Sequence, residues 1–128
     1  MALSDFQGLC KLSLAAGTIA HSLIFPKSND WQEVEVNTMD DLIEELSFQP
    51  DAVKIDAEGA ASSILARAEN MNCQRIVVAA YHFPMEEVQV SMKLRDLGFK
   101  TEIKQVQASI YRSPLQPFVP VVLGWKDS

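Results

Sequence analysis

Val53-Lys54-Ile55-Asp56-Ala57-Glu58-Gly59 decides the reading of this chain. A short apolar run ends in charged residues and a glycine, and an alanine-rich helical pattern follows from Ala60. That is a strand, a tight turn and a helix, with carboxylates at the strand's carboxyl end. Open α/β sheets bind their ligands at that end. Lys54 and Asp56, two apart on a strand, share a face. Glu58 falls in the turn, and Gly59 permits a backbone shape that other residues resist.

The same alternation of strands and helices extends outward. Ala52–Asp56 reads as the central strand and Ala60–Asn70 as a helix with Ile64, Leu65 and Ala68 inward. Arg75–Tyr81 is an apolar run of the kind buried on both faces in a parallel sheet. Met85–Leu97 is helical, with Pro84 at its first turn and Gly98 as its stop. This βαβα order predicts neighbouring parallel strands. Phe99–Ile103 and Val106–Ile110 alternate like strands, and the register change at Lys104-Gln105 predicts a bulge. Val121–Trp125 reads as a last edge strand, because Pro120 lacks the donor that an interior strand uses.

Upstream, Leu9–Leu14 and Glu33–Thr38 alternate and pair as a long hairpin across a loop at Gly17–Asp30. Thr38 is an N-cap for a helix starting at Met39, with Asp41 three residues on. Met39, Leu42, Ile43 and Leu46 make its apolar face, and Pro50 ends it. One domain, 1–128, accounts for the whole chain of 128 residues.

Composition narrows the function. The chain is 48% hydrophobic and 22% charged, a globular balance, and its net charge of −6 argues against a nucleic-acid partner. No apolar run spans a bilayer and no signal-peptide pattern occurs, so the expected setting is cytoplasmic and off the membrane. Cys10 and Cys73 have no metal-ligand spacing and read as reduced, buried thiols. Glycine-rich phosphate loops, nucleophile elbows and HExxH or CxxC metal spacings are absent from the sequence.

The residues left to carry chemistry lie on one rim of the sheet. Asp56 ends a buried strand, a costly place for a carboxylate unless it is paired or used. His82, in Tyr81-His82-Phe83-Pro84, follows the next strand. A carboxylate and an imidazole on the same rim can take a proton from a hydroxyl or amine. Two bland readings stand beside this one. Glu58 can serve as negative charge at the helix amino end, and His82 can be a packed residue between aromatics. His21 falls in a loop and has no assigned role.

Val53-Lys54-Ile55-Asp56-Ala57-Glu58-Gly59-Ala60 resembles the KIDVEGAE block of FkbM-type methyltransferases, which use S-adenosylmethionine. Ala2-Leu3-Ser4-Asp5 resembles that family's turn after its third strand. Val34–Leu42, with Thr38, Asp40 and Leu42, resembles the stretch before the block. His82 matches the histidine after the next strand, and Leu97-Gly98-Phe99 a late segment. The resemblance covers about Ala2–Ile110. It implies a partial Rossmann-like methyltransferase fold in the α/β class, with sheet order 3-2-1-4-5-7-6, in which Ala52–Asp56 is the fourth strand. It implies catalytic roles for Asp56 and His82, with Lys54, Glu58 and Gly59 supporting the substrate or the turn.

Two departures accompany the resemblance. Ala61 stands where the family has a second acid. The family's first half, with the glycine-rich turn and the acid that hold the cofactor, has no counterpart in this sequence. The expectation is therefore the carboxyl-terminal half of such an enzyme, inactive alone, with S-adenosylmethionine implied by resemblance only. The fourth strand would then be an edge that invites pairing: by Leu9–Leu14, by a second copy as a homodimer, or by a separate first half. The alternatives are a non-catalytic interaction module of the same descent and an unrelated small α/β binding domain.

Overall fold

A computed structural model describes residues 1–13, 31–107 and 118–127. The strands in these residues form two sheets. The first is three-stranded, in the order β1-β3-β2. Here β1 is Ala2–Leu3, β2 is Gly8–Ser13 and β3 is Trp31–Asn37. β2 and β3 pair antiparallel from Gly8↔Val36 to Ser13↔Trp31, the expected hairpin. β1 adds in parallel through Ala2↔Val36. Leu14 and the expected loop at 17–30 lie outside the described residues.

Helix α1, Met39–Leu46, starts where Thr38 predicts. The Thr38 hydroxyl accepts from the Asp41 N–H at 3.1 Å and donates to the Asp41 carboxylate at 2.7 Å. Met39 and Ile43 are buried, but Leu46 is 62% exposed, so the apolar face is shorter than its sequence pattern. The helix also stops before Pro50, because Ser47 takes a left-handed conformation.

The second sheet holds β4 (Ala52–Ile55), β5 (Arg75–Ala79), β6 (Lys100–Gln107) and β7 (Phe118–Trp125). Its order is β4-β5-β7-β6, with β4 and β5 parallel and the other pairs antiparallel. This mixed α/β arrangement is the 4-5-7-6 end of the expected order. Helices α2 (Ala61–Leu65) and α3 (Glu86–Asp96) follow β4 and β5. The core lies between the helices and one face of this sheet. Ile55, Ile64, Leu65, Ile76, Val78, Val90, Leu94, Phe99 and Val122 form its centre.

Several expectations are corrected. α2 is one short helix, not an element running to Asn70. The segment after α2 is pinned by Asp40, whose carboxylate accepts from the N–H groups of Glu69 at 3.1 Å and Asn70 at 2.7 Å. Ile64, Leu65 and Ala68 are nevertheless buried as expected. β6 keeps an unbroken register from Lys100↔Trp125 to Gln107↔Phe118, so no bulge occurs at Lys104-Gln105. β7 is an interior strand rather than an edge. In a strand, one residue's nitrogen and carbonyl point to the same side. The Pro120 carbonyl accepts from the Ala80 N–H at 3.2 Å, just past the last β5–β7 pair, Ala79↔Val121. The missing donor therefore faces the end of β5, where the ladder has stopped, and β6 loses nothing.

The β2 segment pairs with β3, and among the described residues β4 pairs only with β5, so Leu9–Ser13 does not close that edge. β5 is not buried on both faces either. Ile76 and Val78 are buried, while Val77 is 38% exposed. No helix among the described residues is long and apolar enough to cross a membrane. Cys73 is buried and Cys10 half-buried, and both are free thiols.

Candidate functional site

The turn after β4 is built by backbone geometry. The Ala60 N–H donates to the Ala57 carbonyl at 3.0 Å. Glu58 and Gly59 between them have φ of 49° and 97°. Two consecutive positive φ values make a type I′ turn. Glycine takes this shape without cost, but a glutamate rarely does, and such strain gathers at ligand sites. The turn holds the Glu58 side chain beside the end of β4. Ala60 heads α2 with no side-chain cap, and the Glu58 carboxylate instead lies 3.7 Å from His82 Nε2.

His82 reaches the same place from β5. The parallel register sets Ile55 opposite Val78, so the residues just beyond each strand emerge on one rim. His82 Nε2 is 3.5 Å from the Asp56 carboxylate. Asp56, Glu58 and His82 offer ligand atoms all within 4.8 Å of one another. The imidazole is only 6% exposed, whereas Asp56 is 44% and Glu58 25% exposed. A buried ring thus faces two wetter carboxylates.

Glu86 fixes that ring. It is the first residue of α3 and wholly buried. Its Oε1 accepts from the His82 backbone N–H at 3.0 Å and pairs with His82 Nδ1 at 2.9 Å. The helix amino end favours its negative charge. A carboxylate on Nδ1 selects the Nδ1–H tautomer and leaves the Nε2 lone pair toward Asp56 and Glu58. His82 Nε2 is buried and has no hydrogen-bond partner among the described residues. Tyr81 stacks on the ring, with centroids 4.4 Å apart. Burial pulls the His82 pKa down, but the Glu86 hydrogen bond and the charges of Glu86, Glu58 and Asp56 outweigh it, and the net shift is upward.

An open cleft lies on the other flank of His82, lined by Tyr81, Phe83, Met85, Phe118 and Pro120 among others. Ligand clefts commonly combine such an apolar lining with a few polar groups. Of the residues singled out in the sequence, Asp56, Glu58, Gly59 and His82 come together here. Lys54 is exposed on β4, opposite Val77, one pleat before the cluster. Glu86 is the participant that sequence reasoning missed. Its signal was a four-residue spacing from His82 across Pro84, at the start of a helix.

S-adenosylmethionine needs close backbone approach, which glycine-rich turns supply. Gly8 begins β2, Gly98 follows α3 and Gly124 lies within β7. Gly59 is the one glycine of the described residues in a strand-to-helix turn, and Glu58 already fills that turn with negative charge. The described residues do not fit a nucleotide cradle.

No protein-family model matches the chain, and no curated protein matches it. Among solved structures, it is similar to the crystal structure of precorrin-6y C5,15-methyltransferase from Geobacter metallireducens GS-15. The identity is 20% and the TM-score 0.47, over 65% of this chain and 50% of that one. The chain thus spans about half the length of that protein.

Proposed function

We propose that this chain carries the acceptor side of a methyl-transfer site of the FkbM type, where a substrate hydroxyl is held and deprotonated. The observation that supports this reading is the Asp56–His82–Glu86 arrangement at the carboxyl ends of two neighbouring parallel strands. The KIDAEGA block and the β4-β5-β7-β6 order agree with it. A hydroxyl brought up beside the Asp56 and Glu58 carboxylates, where Nε2 faces, gives its proton to His82 Nε2. Glu86 stabilises the resulting imidazolium from behind, and Asp56 and Glu58 stabilise it from the front. S-adenosylmethionine would supply the methyl group, held by residues other than those described.

Calorimetry and imidazole NMR test the reading together. The chain alone takes up no S-adenosylmethionine, while hydroxyl-bearing compounds that bind it shift the His82 resonances. Tight cofactor binding by the isolated chain would contradict the division of labour. Acceptors that bind without moving His82 would contradict the site.

A second reading has its own observation. β4 pairs only with β5 among the described residues, and Val77 is exposed in the middle of the same sheet. An open strand edge is a template for another strand. In this reading the chain is an interaction module that adds a strand at β4, from a second copy or from a separate first half. Light scattering on a sizing column tests the homodimer: a monomer at every concentration removes it.

A further inference from the structure

We infer that Asp56, Glu58 and His82 form a binding site for one divalent first-row cation, with Glu86 as the group that orients the histidine. This goes beyond the methyl-transfer reading and does not depend on it.

The geometry carries the inference. Donors about 2.1 Å from one metal sit roughly 3.4 Å apart in tetrahedral coordination. His82 Nε2 is 3.5 Å from an Asp56 oxygen and 3.7 Å from a Glu58 oxygen, close to that spacing. Both distances exceed a hydrogen bond. His82 Nε2 is itself buried, without a hydrogen-bond partner among the described residues, and aimed between the two carboxylates. A buried nitrogen in that state is costly unless something else engages it.

The support behind the ring is what a metal-binding histidine requires. Metal-bound imidazoles almost always donate their second N–H to a carboxylate or carbonyl, which sets tautomer and orientation. Glu86 does this at 2.9 Å from a fully buried position, and the same oxygen also holds the His82 backbone N–H. A histidine that merely packs between aromatics needs no such double anchor. The strained φ of Glu58 brings the third donor in from the turn.

The donor set names the class of ion. One imidazole and two carboxylates suit Zn²⁺, Mn²⁺, Co²⁺ or Fe²⁺ rather than Mg²⁺ or Ca²⁺, which prefer oxygen alone. Three protein donors leave coordination positions for water or a substrate oxygen. With the ion bound, the Nε2 lone pair is taken, and the ion replaces the imidazole as the group that acidifies a bound hydroxyl.

The test uses the untagged chain, stripped with chelator and titrated with MnCl₂ and ZnCl₂ by calorimetry. Paramagnetic broadening by Mn²⁺ is followed at the imidazole protons. The expected result is one ion per chain, with the His82 signals broadened first. Asp56→Asn and Glu58→Gln each weaken binding at least about tenfold, as loss of a charged ligand should. Glu86→Gln, which leaves all three donors in place, weakens it by about 10- to 100-fold. Asp127→Asn, at the opposite end of the sheet beside Lys100, leaves it unchanged. Circular dichroism confirms that each variant is folded. Absence of saturable binding of both ions overturns the inference. So does binding that persists unchanged in Asp56→Asn and Glu58→Gln. The isotherm needs neither methyl donor nor acceptor. A chain that binds no ion therefore sinks this inference alone, and a chain that binds ions but leaves His82 unmoved by acceptors sinks the methyl-transfer reading alone.

Discussion

Glu86 Oε1 grips His82 twice, at the backbone N–H (3.0 Å) and at Nδ1 (2.9 Å), from a fully buried position at the head of α3. One carboxylate oxygen thereby fixes both the loop after β5 and the imidazole's orientation. Replacing Glu86 by Ala leaves two donors without their acceptor. The expected loss is about 1–3 kcal/mol, the cost of an unsatisfied buried polar group or a lost charge-assisted bond. Urea unfolding measures it, and Glu86→Gln, which can still accept, loses less.

The stability of the metal-free chain follows the His82 charge. Its folded pKa lies above the ordinary 6.5, because the carboxylates outweigh burial. A raised folded pKa means the native state binds the proton more tightly than the unfolded chain. That contribution is fully present below about pH 6.5 and is lost as pH rises through the higher folded pKa. Unfolding midpoints in chelator-containing buffer, measured across this window, will therefore fall with rising pH. In His82→Gln that part of the slope disappears.

Gly124 sits in β7 where a Cβ would come within 2.6 Å of Ile76 Cγ2 and 3.4 Å of Leu94 and Phe99. Those neighbours are buried core residues, and the nearest atom belongs to a β-branched side chain with restricted χ1. Gly124→Ala will destabilise the chain by about 1–3 kcal/mol through overpacking. Thermal unfolding reads the change, and an unchanged midpoint would show that the core yields there.

Asp40 lies in the first turn of α1 but acts at a distance. Its carboxylate accepts from Glu69 and Asn70, beyond the end of α2. Asp40→Ala frees both N–H groups, and a loss of about 1–2 kcal/mol is expected for two bonds to a charged acceptor near solvent. Amide exchange at Glu69 and Asn70 will accelerate with it, while exchange in β5 will change only by the global loss.

Much of the fold was legible in the sequence, wherever a local signal sufficed. The Thr38 cap, the hairpin of β2 and β3, and the strand–turn–helix at Val53–Gly59 each depend on residues a few positions apart. Asp56 and His82 were legible as a pair because parallel neighbouring strands put their carboxyl ends on one rim. Glu86 was not, because its role depends on how the loop through Pro84 folds back. Met85, with φ of 68°, turns that loop into α3. Pro120 misled for a similar reason. Proline forbids a donor on one side only, and which side faces a partner is set by the register of β5 and β7. The exposed Val77 was equally hidden, since a run of Ile-Val-Val-Ala carries no record of whether its second face is covered.

The proton-accepting and cation-binding roles both use one lone pair, that of His82 Nε2. The most direct measurement is the tautomer of His82 in the metal-free chain, read from ¹⁵N–¹H long-range correlations above its pKa. The expected result is a protonated Nδ1, held by Glu86, and an unprotonated Nε2 facing Asp56 and Glu58. A protonated Nε2 with a bare Nδ1 would contradict both roles.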